Sequence, residues 1–232
     1  MNYYQEITLL PDADIALGFL WQNVFQQVHI ALVEHKVASN QSLVAVGFPD
    51  YRQAQFPLGS KLRLFAKEPA TLEKLDIPCW LTRLEDYVHI KGVKPVPSDV
   101  TYVSFVRKQV KSPERIERDM QQKAELWAAK SGKPLVECLV DLQQSKPTAL
   151  CALPLIYLHS QQTKQRSPEK NSKFPLFIEM QPQSTSQDGS FDCYGLSSKA
   201  NGQSMLATVP HFLIERKRVV FTLYFCSLKM CF

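Results

Sequence analysis

The stretch Tyr3–Lys36, YYQEITLLPDADIALGFLWQNVFQQVHIALVEHK, decides the fold. Tyr3–Leu10 is rich in β-formers, and Pro11-Asp12 stops it, so it reads as a strand. From Ile15 to Lys36 the period changes. Leu17, Trp21, Val24, Val28 and Leu32 recur at spacings of three and four, one apolar stripe on a helix. Working outward, Ser42–Phe48 is a short apolar run closed by Pro49-Asp50, and Lys61–Ala66 (KLRLFA) alternates with period two. Both predict strands. Pro69–Leu75 predicts a second helix, extendable toward Leu84 despite the break at Pro78, and Tyr87–Val93 predicts a fourth strand. The order β-α-β-β-α-β is that of a ferredoxin-like α+β domain, two helices on one face of a four-stranded sheet.

Lys94–Asp99 carries two prolines and no periodicity, which places a domain boundary there. The expected division is a ferredoxin-like domain over 1–94, a second α+β domain over 95–212, and a tail over 213–232. Thr101–Val110 opens the second half as a strand. Ser112-Pro113-Glu114 is a helix start, with a capping serine, proline at the first position and an acid in the first turn. That helix should run to about Lys130 and stop at Ser131-Gly132. Leu150–Leu158 and Phe174–Met180 predict further strands, separated by the polar stretch Ser160–Lys173. Gln181–Ser190 predicts another polar loop.

Charge is distributed unevenly. Residues 1–100 carry 9 Lys and Arg against 11 Asp and Glu, residues 101–212 carry 14 against 10, and residues 213–232 carry 4 against 1. A basic second half suits a polyanion, and equally a solvated basic face. Lys111, Arg115, Arg118 and Gln122 are spaced by four, three and four residues, on one face of the predicted helix. Glu114, Glu117, Asp119 and Glu125 are interleaved among them. The six cysteines form no C-x-x-C pair and no zinc-ligand spacing, which fits reduced thiols of a cytoplasmic protein. No apolar run has the ~20 residues needed to cross a bilayer.

Three further positions stand out. His29 lies at the edge of the apolar stripe, where taken alone a partly buried core histidine hydrogen-bonded to the backbone is the commoner case. His159-Ser160 ends a strand and opens a polar loop. Phe191-Asp192-Cys193-Tyr194-Gly195-Leu196-Ser197 sets a tyrosine before a glycine, which alone reads as a tight turn.

Taken in order, these features resemble the type I-F CRISPR repeat-processing endoribonucleases of the Csy family. The resemblance runs from Tyr3 to about Phe212. It includes Leu10-Pro11-Asp12, the context Val28-His29-Ile30-Ala31-Leu32-Val33, Gly47-Phe48-Pro49-Asp50 and Leu58-Gly59-Ser60-Lys61-Leu62-Arg63. It continues through Lys111-Ser112-Pro113-Glu114-Arg115, His159-Ser160, Phe174-Pro175-Leu176-Phe177-Ile178 and Cys193-Tyr194-Gly195-Leu196-Ser197.

The resemblance implies an antiviral-defence endoribonuclease that cuts a CRISPR precursor transcript at the 3′ foot of the repeat stem-loop and stays on the product hairpin. It implies His29, Ser160 and Tyr194 as the active site, with attack by a ribose 2′-hydroxyl that leaves a 2′,3′-cyclic phosphate and a 5′-hydroxyl. No metal or other cofactor is expected, because the nucleophile is already tethered beside the phosphorus. RNA recognition is expected from Arg107, Arg115 and Arg118, with Gln122 on the same helix face and Lys108, Lys111 and Lys123 as backbone contacts. The implied partners are the repeat hairpin RNA and other subunits of the type I-F effector complex, with no membrane. The sequence departs from the family in two places. Its helix carries Glu117, Asp119, Gln121 and Gln122 where well-known members are dense in arginine, and residues 213–232 follow a family-like ending at Val209-Pro210-His211-Phe212. The alternative is a non-cleaving hairpin-binding subunit. A protein-contact module is a third reading, and a metal-dependent nuclease, for which the carboxylates are too scattered, a fourth.

Overall fold

A computed structural model describes residues 1–10, 12–110, 113–144, 152–160, 172–199 and 205–213. The expected capping Ser112, the candidate RNA contact Lys111, most of the polar stretch after Ser160 and the tail from 214 lie outside the described residues.

The chain is a mixed α+β protein with two sheets. The first sheet contains β1 (Tyr3–Leu9), β2 (Ala45–Gly47), β3 (Lys61–Ala66), β4 (Val88–Ile90) and the two-residue β5 (Lys94–Pro95). Its order is β2-β3-β1-β4, all neighbours antiparallel, with β5 also paired to β1. Helix α1 (Leu17–Glu34) follows β1. Two short helices, α2 (Pro69–Leu75) and α3 (Ile77–Trp80), and a 3-10 segment (Thr82–Tyr87) lie between β3 and β4. The helix expected over Pro69–Leu75 is α2; its extension toward Leu84 is broken at Asp76, whose left-handed backbone (φ 46°) ends α2 just before Pro78. Lys94–Pro95, read as a featureless boundary, is the edge pairing with Tyr3 and Tyr4. A proline is tolerated there because an edge position leaves its missing N–H undemanded.

The second sheet contains β6 (Thr101–Lys108), β7 (Leu155–His159), β8 (Lys173–Gln183), β9 (Ser190–Phe191), β10 (Ser197–Ser198) and β11 (Val209–His211). Its order is β7-β8-β6-β10-β9, and β11 also pairs with β6. Between β6 and β7 stand α4 (Pro113–Ser131) and α5 (Leu135–Gln144), packed chiefly on each other.

The apolar stripe of α1 buries Leu20, Trp21, Val24, Phe25, Val28, Ala31 and Leu32. One core joins them to both sheets, with Phe48 against Phe105 and Tyr4 against Phe212 as aromatic contacts across the divide. Polar anchors reinforce the junction. The Tyr51 hydroxyl donates to the Ile178 carbonyl at 2.9 Å, and Arg52 donates to the Ala152 carbonyl at 2.7 Å. Arg63 is 1% exposed. Its Nε donates to Glu6 at 2.8 Å and its Nη1 to the Phe212 carbonyl, 2.6 Å away.

Candidate active site

His29 sits on the last third of α1, half-buried at the margin of the apolar stripe. Its partners come from the turn between β9 and β10, which the sequence places 164 residues later. That turn has a local cause. Asp192 and Gly195 are the first and last residues of a four-residue reversal, closed by the Gly195 N–H on the Asp192 carbonyl at 2.8 Å. Acid first and glycine last is the preferred composition of such a turn. Gly195 has φ +71°, and a Cβ there would lie 2.6 Å from a Val46 methyl, so only glycine fits. The Val46 N–H donates to the Gly195 carbonyl at 2.9 Å, docking the turn on the free edge of β2.

The docked turn does two things to His29. The Cys193 carbonyl lies 2.8 Å from His29 Nδ1. A carbonyl only accepts, so Nδ1 carries the proton and the neutral ring presents its lone pair at Nε2. The Tyr194 ring lies on the imidazole, centroids 4.2 Å apart and planes 10° from parallel. Burial pushes the His29 pKa down; the Cys193 hydrogen bond opposes this and the Arg107 charge adds to it, and the net shift is downward. A neutral imidazole with a fixed tautomer and a free Nε2 is arranged to take a proton.

Arg107, expected as an RNA contact, stands on β6 with its guanidinium 5.4 Å from the Tyr194 ring and 5.7 Å from the Phe174 ring. It is exposed, and its charge acts on His29, Tyr194 and Asp192. Burial, the dominant influence, raises the Tyr194 hydroxyl above its ordinary value, with Arg107 pulling the other way. Ser160 follows β7, half-buried, its N–H donating to the Ser172 carbonyl at 2.9 Å. The strand that carries it is tied to the helix that carries His29. The His159 N–H donates to the Gln26 side-chain oxygen at 2.8 Å, and Gln26 lies three residues before His29 on α1.

The remaining expected contacts lie elsewhere. Arg115, Arg118, Gln122 and Lys123 are exposed on α4. Lys108 is on β6 and pairs with Glu179 at 3.6 Å. Gln26 and Asp192 are contacts with no assigned role in the sequence motifs, although the Asp-x-x-Gly spacing of the turn is a visible signal for the second. Among the described residues, no three His, Cys, Asp or Glu side chains gather as metal ligands.

The fold thus brings together a histidine whose Nδ1 faces a backbone carbonyl, a tyrosine ring stacked on it, and an exposed arginine near that ring. The family model for CRISPR-associated proteins of the Cas_Csy4 type matches residues 4–212. A CRISPR-associated endonuclease Cas6/Csy4 of Pseudomonas aeruginosa (strain UCBPP-PA14) is 31% identical over 199 residues, covering 85% of this chain and 96% of its own. The CRISPR-associated endonuclease Cas6/Csy4 of Escherichia coli (strain UTI89 / UPEC) is 31% identical over 218 residues, 91% of this chain and all of its own. The chain belongs to the Cas_Csy4 family.

Proposed function

We propose that the protein is a metal-independent endoribonuclease that cuts CRISPR precursor transcripts at the 3′ foot of the repeat stem-loop and remains on the product hairpin. The observation that carries this is the His29 geometry, Nδ1 committed to the Cys193 carbonyl and Nε2 left as the base. Nε2 takes the proton of the ribose 2′-hydroxyl as that oxygen attacks the adjacent phosphorus. The bond to the 5′-oxygen breaks, that oxygen takes a proton from water, and the products are a 2′,3′-cyclic phosphate and a 5′-hydroxyl. General-base help of this kind contributes roughly 10²–10⁴ in rate. Ser160 holds the ribose so that the 2′-oxygen stands in line with the leaving oxygen. Tyr194 keeps the imidazole from rotating, and a 2′-hydroxyl nucleophile makes DNA inert at the cut.

Recognition of the hairpin belongs to Arg107, at the mouth of the site, and to the α4 face carrying Arg115, Arg118 and Gln122, with Lys108, Lys111 and Lys123 as backbone contacts. The strand order β2-β3-β1-β4 supports reading residues 1–94 as a ferredoxin-like catalytic unit and 95–212 as the recognition unit. The place of work is the cytoplasm, where the transcript is made, with the other type I-F effector subunits as partners.

The test is cleavage of short type I-F repeat hairpins in excess EDTA by the wild type and by His29→Ala. One cut at the foot of the stem, lost in the variant, is the expected result. Tight binding with no cut by the wild type favours the RNA-holding subunit instead. Cleavage that EDTA abolishes would sink the metal-free mechanism.

A further inference from the structure

The turn that holds His29 is itself held by one buried carboxylate. Asp192 is 7% exposed. Its Oδ1 accepts the N–H of Tyr194 at 2.8 Å and the N–H of Leu196 at 3.0 Å. Its backbone closes both ends of the same turn, the N–H donating to the Leu196 carbonyl at 2.9 Å and the carbonyl accepting from Gly195 at 2.8 Å. Between these fixed points lie the two groups that His29 uses, the Cys193 carbonyl and the Tyr194 ring. From the first half of the chain the turn meets Val46 and Asn40, whose side-chain oxygen accepts the Cys193 N–H at 3.4 Å.

We propose that Asp192 is a positioning residue for His29: by accepting the Tyr194 and Leu196 amides it sets the Cys193 carbonyl that fixes the imidazole tautomer and the ring that covers its face. The proposal rests on His29 acting as the base, as described above. A turn in this sequence does not require the carboxylate, since the Gly195-to-Asp192 backbone bond and the left-handed glycine already close it. What the side chain adds is orientation of the two peptide planes that flank Cys193–Tyr194. The alignment matters because a displacement of about 1 Å at a reacting group costs on the order of 10²-fold in rate. The carboxylate is also kept at a cost. Burial pushes its pKa up to about 6 despite the two amides and the nearby Arg107 charge. Carboxylates held in such conditions concentrate at functional sites.

The experiment compares wild type, Asp192→Asn and Asp192→Ala on a repeat hairpin at pH 8. It adds ¹⁵N spectra of the His29 ring in the free proteins. Asparagine keeps the accepting oxygen and alanine removes it. Expected are a kcat for Asp192→Ala lower by about 10- to 100-fold with KM changed less than about threefold, and a kcat for Asp192→Asn within about threefold of wild type. In the spectra, wild type and Asp192→Asn show the proton on Nδ1 alone, and Asp192→Ala shows a mixture of tautomers. If Asp192→Ala does not fold, Asp192→Val, which fills the space without an acceptor, replaces it with the same expectations. A wild-type kcat together with an unmixed Nδ1-protonated ring in the acceptor-less variant overturns the proposal. A wild type that never cuts counts against the nuclease reading instead, and the ring spectra still decide the role of Asp192.

Discussion

A single turn supplies the two contacts on the His29 ring, and burial gives its pKa a direction. Burial and Arg107 lower its pKa from the usual value near 6.5, so the free-base form persists through neutral pH. The acid limb of kcat/KM should fall below pH 6.5, with activity flat from there to pH 8, read from initial cleavage rates; a midpoint above 7 would contradict the burial argument. Asp192 titrates with the opposite consequence. Its folded pKa, about 6, is raised above the ordinary 3.8. Its destabilising effect is therefore absent below pH 4, grows as pH rises, and is complete above pH 6. Asp192→Asn should then stabilise the fold at pH 8 by on the order of 2–3 kcal/mol and leave it unchanged at pH 4, measured by urea unfolding at both values. The family resemblance named His29, Ser160 and Tyr194 together, and the structure stacks Tyr194 on His29 and ties the strand before Ser160 to α1. The tautomer lock was not legible in the sequence, because a backbone carbonyl has no residue signature and this one comes from the far end of the chain.

Elements with a complete period were readable. Helix α1, strand β3, strand β6 and helix α4 lie within a few residues of where their patterns placed them. Helix α5 was missed. Its ten residues follow Gly132-Lys133-Pro134, which reads as loop, and it fully buries Cys138 alone. Strands β9, β10 and β11 have two or three residues each, too few to show alternation, and they exist because β6 and the docked turn pair with them. Helix α4 spends little of its surface on either sheet and leaves Arg115, Arg118, Gln122 and Lys123 in solvent. Replacing Arg115 and Arg118 together by Ala should weaken hairpin binding while kcat at saturating RNA stays within about threefold. Each arginine that meets a phosphate should lower the slope of log K against log salt by about 0.7–0.9, measured by filter binding at several salt concentrations. An unchanged affinity would remove α4 from the recognition surface.

At the scale of the whole molecule the two sheets share one core, and Arg63 links them, ion-paired to Glu6 within the first sheet and hydrogen-bonded to the Phe212 carbonyl beside the second. Burial alone would raise the Glu6 carboxyl; hydrogen bonds from Lys91 at 2.6 Å and from Arg63 outweigh it and hold the pKa below the ordinary carboxylate value. The stability this brings is present above pH 4.5 and is lost as pH falls through the depressed value. Arg63→Met leaves Glu6 buried with Lys91 as its remaining partner, a loss of about 3–5 kcal/mol, and the double change with Glu6→Gln should recover part of it. A single urea transition that moves by that amount is expected, and two separate transitions would mean that the sheets fold independently. The pattern KLRLFA announced the strand but could not announce that its arginine points inward, since both of its acceptors are distant in sequence.

The hold on Phe212 has a consequence for the gene. Arg63 grips the carbonyl of that residue and lies 4.0 Å over its ring, so both the backbone and the aromatic group are required at this position. A stop codon only slightly upstream removes that carbonyl and ring, leaves the buried guanidinium with Glu6 alone, and yields a product that cellular proteases remove. Selection should accordingly purge nonsense changes before codon 212.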